Sequence, residues 1–131
     1  MKGFHHIAIR VKNFDETVRF YRDGLGLKER LAWGEGDERA MLLDAGNGNG
    51  IEVFAGGQEA PAEGTIAHFA LLTEDCDGAL RRAEEAGATV TVPPKSVDIP
   101  AETGPVPVRI AFVRAPGGET IEFYQNLKSG E

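Results

Sequence analysis

The stretch Phe4-His5-His6-Ile7-Ala8-Ile9-Arg10-Val11 returns in the second half of the chain as Ile66-Ala67-His68-Phe69-Ala70-Leu71-Leu72. The echo keeps its register: His6 and His68, Phe14 and Cys76, Val18 and Leu80, and Tyr21 and Ala83 are each 62 residues apart. Self-similarity at a fixed offset is the mark of one supersecondary unit used twice. Whatever one copy folds into, the other must fold into as well, and the two must then find a way to pack.

Each copy reads strand, helix, strand, strand, strand. In the first, residues 4–11 alternate, with Ile7, Ile9 and Val11 on one face and His6, Ala8 and Arg10 on the other, the period of a strand. Asn13 is a candidate cap for a helix whose apolar stripe is Phe14, Val18, Tyr21 and Leu25, ending at Gly24-Leu25-Gly26. Strands follow over 27–33, 39–45 and 50–54, separated by glycine-rich turns. The second copy predicts strands over 68–72, 88–92, 109–114 and 120–125 and a helix over 75–86. Glu52 and Glu122 are 70 apart rather than 62, so the second copy carries an insertion before its last strand. The proline-rich stretch from Pro93 to Pro107 is where it must sit, read here as a long loop that either walls a ligand site or is a tolerated surface insertion. The fold class expected is α+β, two paired βαβββ modules around a metal-binding cleft, in one domain over 1–131: module one 1–56, a linker 57–64, module two 65–127.

Composition narrows the partners. At 131 residues with 41% hydrophobic side chains the chain can bury a core without disulfides. Its formal charge of -7 and the lack of a basic cluster exclude a nucleic-acid partner, and no apolar run approaches the ~20 residues of a membrane span. A single cysteine and no signal-like N-terminus point to a reducing cytoplasm.

Four side chains draw the chemistry together. His6 lies in the first strand of module one and Glu52 in its last, while His68 and Glu122 hold the matching places in module two. Their strand neighbours Ile7, Ile51, Val53, Phe69, Ile121 and Phe123 are apolar and belong under the helices, so period-2 geometry turns all four toward the opposite face. Two imidazoles and two carboxylates make a mixed N/O donor set for one divalent ion of the Zn, Ni, Co, Mn or Fe kind. His5 is the register competitor to His6, and parity places it on the helix side or where the strand begins.

His6-Ile7-Ala8-Ile9-Arg10-Val11, Phe20-Tyr21-Arg22-Asp23-Gly24-Leu25-Gly26-Leu27, Ile51-Glu52-Val53-Phe54, Ala67-His68-Phe69-Ala70-Leu71 and Ile121-Glu122-Phe123 together resemble the vicinal oxygen chelate superfamily, within it the glyoxalase I-like proteins of the glyoxalase/bleomycin resistance/dioxygenase group. The resemblance implies paired modules, commonly a homodimer, and a metal held by His6, Glu52, His68 and Glu122. It implies a metal-dependent lyase or isomerase that moves a proton through a metal-stabilised enediolate, lactoylglutathione lyase being one such activity, with Glu122 or alternatively Glu52 as the base. Arg10 matches an arginine that holds a glutathione carboxylate. At two places the chain departs from that pattern: Gly56 stands where a glutathione-contacting asparagine is usual, and Ala115-Pro116-Gly117-Gly118 replaces an Asp-Pro-Asp-Gly turn. The resemblance therefore stops short of the glutathione contacts. The alternatives it leaves open are a metal-free sequestering protein of the bleomycin-resistance kind, an epimerase, or an extradiol dioxygenase.

Phe54 and Tyr124 follow the glutamates by two and share their face, as candidates to line a pocket for a small-molecule substrate; Trp33 and Met41 are further candidates. Cys76 reads as packing, and Glu84-Glu85 as a solvated helix face.

Overall fold

The computed structural model describes residues 2–58, 64 and 66–127. Two four-stranded sheets share one topology. In the first, β1 (His6–Arg10), α1 (Phe14–Arg19), β2 (Lys28–Trp33), β3 (Ala40–Gly46) and β4 (Asn49–Phe54) give the order β1-β4-β3-β2; in the second, β5 (Phe69–Leu72), α2 (Cys76–Glu85), β6 (Thr89–Ala101), β7 (Gly104–Arg114) and β8 (Thr120–Asn126) give β5-β8-β7-β6. The first strand of each module runs parallel to the last, and the remaining pairs are antiparallel. This is the α+β arrangement of paired βαβββ modules. Among the described residues no helix is long and apolar enough to cross a membrane. The linker expected over 57–64 falls mostly outside the described residues.

The helices form for the reasons their stripes imply. Phe14, Thr17 and Val18 are the buried positions of α1. The helix then widens into one π-helical turn, Phe20–Gly24, in which the Leu25 N–H reaches back to Phe20 O at 3.0 Å. Gly24 is required there, because a Cβ at that position would collide with the Ala86 methyl at the end of α2. Asp75 caps α2, accepting from the Gly78 N–H at 3.0 Å. Asn13 flanks α1 differently: it caps no backbone N–H, its amide donating to Glu16 of the first turn and, across the modules, to Pro116 O at 2.8 Å, while its oxygen accepts from the Thr17 hydroxyl.

One apolar cluster joins the modules, with Val18, Phe20, Tyr21 and Ile51 from the first and Ala79, Ala83, Val113 and Phe123 from the second. Burial of this kind is worth roughly 25 cal/mol per Å² of apolar surface, so it dominates the association of the two units.

The Pro93–Pro107 stretch is not a loop. β6 and β7 continue through it as a two-stranded ribbon, paired from Lys95 with Ile110 out to Ala101 with Gly104. Pro93, Pro94 and Pro100 are tolerated because β6 is an edge strand, with the ladder slipping at Val90/Val92 and Val92/Lys95, and Pro105 and Pro107 because they precede Val108, where the pairing of β7 with β8 begins.

Candidate functional site

Register decides which side chains share a face. Directly opposed residues in neighbouring strands point the same way. In module one, Ala8 stands opposite Glu52, Glu52 opposite Leu42, and Leu42 opposite Leu31; one row further, Arg10, Phe54, Ala40 and Trp33 are opposed in turn. His6, two residues before Ala8, shares that face. Its Nε2 lies 3.4 Å from Glu52 Oε1, with the imidazole 36% exposed and the carboxylate 15%. Arg10 sends Nη1 to Ala55 O at 2.9 Å and lays its guanidinium 5.0 Å from the Phe54 ring centre, and the Trp33 ring meets Phe54 edge-on at 6.4 Å.

Module two repeats the pairing. His68, one residue ahead of β5, sits 3.1 Å from Glu122 Oε1 through Nε2, again with a half-exposed ring, at 38%, and a more sheltered carboxylate, at 14%. Glu122 is opposed by Ala70 on one side and Phe112 on the other, and Tyr124 by Leu72 and Ile110. Tyr124 therefore lies on the face of Glu122, as Phe54 lies on that of Glu52.

Each histidine and glutamate expected to act together do meet within their module. The two pairs do not meet each other. Among the described residues, no three His, Cys, Asp or Glu side chains come close enough to hold a metal. The reason is the shared core. The Tyr21 hydroxyl donates to Glu119 Oε2, and the Asn13 amide to Pro116 O, fixing module one's helix against the β7–β8 turn of module two. β1 and β5 are consequently left as separate sheet edges. A groove of about 500 Å³ lies between them, lined by Ile7, Ile51, Phe69 and Phe123 together with the polar Asn49 and Arg82. Exposed apolar side chains border it: Phe4 at 84% and Leu72 at 72%.

Met41 is a correction. It is buried in the core cluster, because it opposes Val53 rather than Phe54 or Glu52 and so faces the helices. Trp33 does lie on the site face, and is 44% exposed.

Three further residues shape the site: His5, placed by parity where β1 begins but given no role, and Phe112 and Glu119, which no sequence pattern singled out. His5 Nδ1 is 2.9 Å from His6 Nδ1, which occupies that nitrogen of His6 and leaves Nε2 for Glu52. Phe112 meets the His68 ring edge-on at 5.2 Å, and its place opposite Glu122 follows from strand parity once β7 is known. Glu119 had no pattern to reveal it. Burial pushes its carboxyl above the ordinary range, partly offset by the Tyr21 hydrogen bond, and pushes the Tyr21 phenol up as well. Cys76 is fully buried, and burial raises its thiol.

Residues 3–123 match the Glyoxalase/Bleomycin resistance protein/Dioxygenase superfamily. The chain is 35% identical over 129 residues to the uncharacterized protein YwbC of Bacillus subtilis, across 95% of this chain and 98% of that one. It is 30% identical over 138 residues to the lactoylglutathione lyase of Haemophilus influenzae, across 95% of each. The solved glyoxalase family protein of Enterococcus faecalis shares the fold with a TM-score of 0.72 at 23% identity, across 95% of this chain and 98% of that chain. Matched along nearly its whole length, with the repeated module and its histidine–glutamate pairs in place, the chain belongs to the glyoxalase/bleomycin resistance protein/dioxygenase superfamily.

Proposed function

We propose that the protein is a metal-dependent lyase or isomerase of the glyoxalase I type, working as a homodimer in which His6 and Glu52 of one copy face His68 and Glu122 of a second. The observation that carries this reading is the presence of two matching histidine–glutamate pairs, each spanning a sheet's edge strand or its approach and the strand next to it. Exposed edges, with Phe4 and Leu72 open to solvent beside them, favour pairing with another chain. Closing the two pairs within one chain would instead require breaking the core that joins the modules.

The donors fit a divalent ion of the Ni, Zn, Co, Mn or Fe kind: each pair offers one imidazole nitrogen and one carboxylate, sheltered but open on one side. When bound, such an ion supplies Lewis-acid stabilisation of the negative charge that develops on substrate oxygens. The remaining work belongs to the protein. Glu122 directs Oε1 at His68, leaving Oε2 to take a proton from the carbon next to a carbonyl and return it to the neighbouring carbon. Glu52 is the alternative base. Phe54 and Tyr124 line the substrate's side of the site, and Arg10 holds an anionic end. The likeness to the Haemophilus influenzae lyase makes lactoylglutathione formation the first reaction to assay.

The test is metal content and activity of the purified protein after loading with Ni or Zn. The reading expects stoichiometric metal, lost in His68→Ala, and turnover lost in Glu122→Gln. A protein that holds no metal contradicts it and favours metal-free ligand binding. Full metal without lactoylglutathione formation keeps the metal centre and moves the substrate elsewhere, to another isomerisation or an epimerisation.

A further inference from the structure

The face that carries His6 and Glu52 continues into an apolar shelf. Glu52 stands in one cross-strand row with Leu42 and Leu31, and the adjoining row runs Arg10, Phe54, Ala40, Trp33. Leu42 and Ala40 are buried beneath it, whereas Leu31 is 56% and Trp33 44% exposed. Large side chains thus flank a strip of covered ones on the same sheet face, open to solvent and contiguous with a candidate metal ligand. Arg10 is the one cation in the two rows. Its Nη1 is held by Ala55 O, and one guanidinium face rests on Phe54. The rest of the guanidinium fork is fixed in direction at the end of the shelf, where a carboxylate would complement it.

A tripeptide-like co-substrate, polar along its length, has little to gain from Leu31, Trp33 and Phe54. A ring does: aromatic bodies bury large areas and favour edge or offset contact with other rings. We propose that this shelf seats the body of the substrate, an organic anion with an aryl or similarly flat apolar group lying on Leu31, Trp33 and Phe54 and its negative end on Arg10. The proposal deepens the metal-dependent reading and rests on it for the reacting end of the molecule only.

Trp33 is the only tryptophan in the chain, so its emission reports the shelf directly. The experiment titrates the full-length protein, metal-free and zinc-loaded, with 3-phenylpropionate, propionate and 3-phenylpropanol, following Trp33 fluorescence and the heat of binding. The expected result is that 3-phenylpropionate shifts the emission and binds about tenfold more tightly than either partial probe. Leu31→Glu should weaken it by about tenfold with metal content unchanged, and Leu31→Met should retain it. Equal affinity for propionate and 3-phenylpropionate, or indifference to Leu31→Glu, overturns the proposal. Loss of self-association in Leu31→Glu, in a protein that ignores all three probes, overturns it too and makes the shelf an interface between copies. Binding of 3-phenylpropionate to a protein that never holds metal would keep the shelf and sink the metal centre, so the two failures are distinguishable.

Discussion

Tyr21, on the helix of the first module, donates its hydroxyl to Glu119 of the second across 2.5 Å, although the two residues lie 98 positions apart in sequence. The tyrosine is fully buried, and the second carboxyl oxygen, Oε1, has no hydrogen-bond partner among the described residues. Removing the phenol would take from the carboxyl its one side-chain partner, with Oε1 already unpaired. Tyr21→Phe is therefore expected to cost about 1–3 kcal/mol in urea unfolding, the penalty of an orphaned buried polar group. It should do so without altering the histidine–glutamate pairs. An unchanged midpoint would show that the contact between modules does not depend on this bond.

The same pair sets a pH dependence. Burial raises the folded-state pKa of Glu119 above its unfolded value. A raised carboxyl contributes stability that is fully present below the ordinary glutamate range and is lost as pH rises through the folded value. Glu119→Gln, which cannot ionise, should therefore be more stable than the unmodified protein near neutrality, and the gap in Tm should close as the buffer is taken down toward pH ~4. A gap that widens on acidification would mean that Glu119 is held as a stabilised carboxylate instead.

Gly117 sits in the same contact. A Cβ there would lie 2.5 Å from Glu119 Oε1 and 2.6 Å from Val11 Cγ1, with Thr17 Oγ1 at 3.3 Å. No rotamer of alanine escapes this, so Gly117→Ala should lose about 1–3 kcal/mol through overpacking. Equilibrium unfolding measures it, and a neutral outcome would show that the turn can shift freely.

How much of this was legible beforehand follows from the kind of signal each feature leaves. The constant offset from His6/His68 to Tyr21/Ala83 revealed the repeat, because it is a short-range pattern; strand parity turned His6, Glu52, His68 and Glu122 away from the helices as one set, whereas the fold brings them together only as two pairs. Met41 misled for want of register: parity within β3 is set by the β3–β4 pairing, in which Met41 opposes Val53. The prolines from 93 to 107 look like loop composition, yet an edge ribbon spares them the missing N–H. Hardest of all was how the modules sit, since that is fixed in part by Tyr21–Glu119 and Asn13–Pro116, contacts 98 and 103 residues apart with no periodicity to announce them.

Cys76 offers a check on the core itself. Its sulfur is fully buried, 3.7 Å from Phe123 O, and burial raises the thiol above its ordinary range. Despite its place at the start of α2, it should resist alkylation in the native protein and react only at the rate of unfolding. Rapid labelling by iodoacetamide in native buffer would mean that α2 opens locally.

A metal centre shared between chains can be rebuilt by mixing subunits. One variant carries His6→Ala and Glu52→Gln; the other carries His68→Ala and Glu122→Gln. Alone, neither should retain stoichiometric metal, since every site in either homodimer has lost one pair. A heterodimer isolated after co-expression with two tags rebuilds one complete site from the intact module two of the first variant and the intact module one of the second. One ion per heterodimer is expected, with partial recovery of whatever turnover the unmodified protein shows. Heterodimers with no metal, from homodimers of unmodified protein that do hold it, would contradict the shared centre.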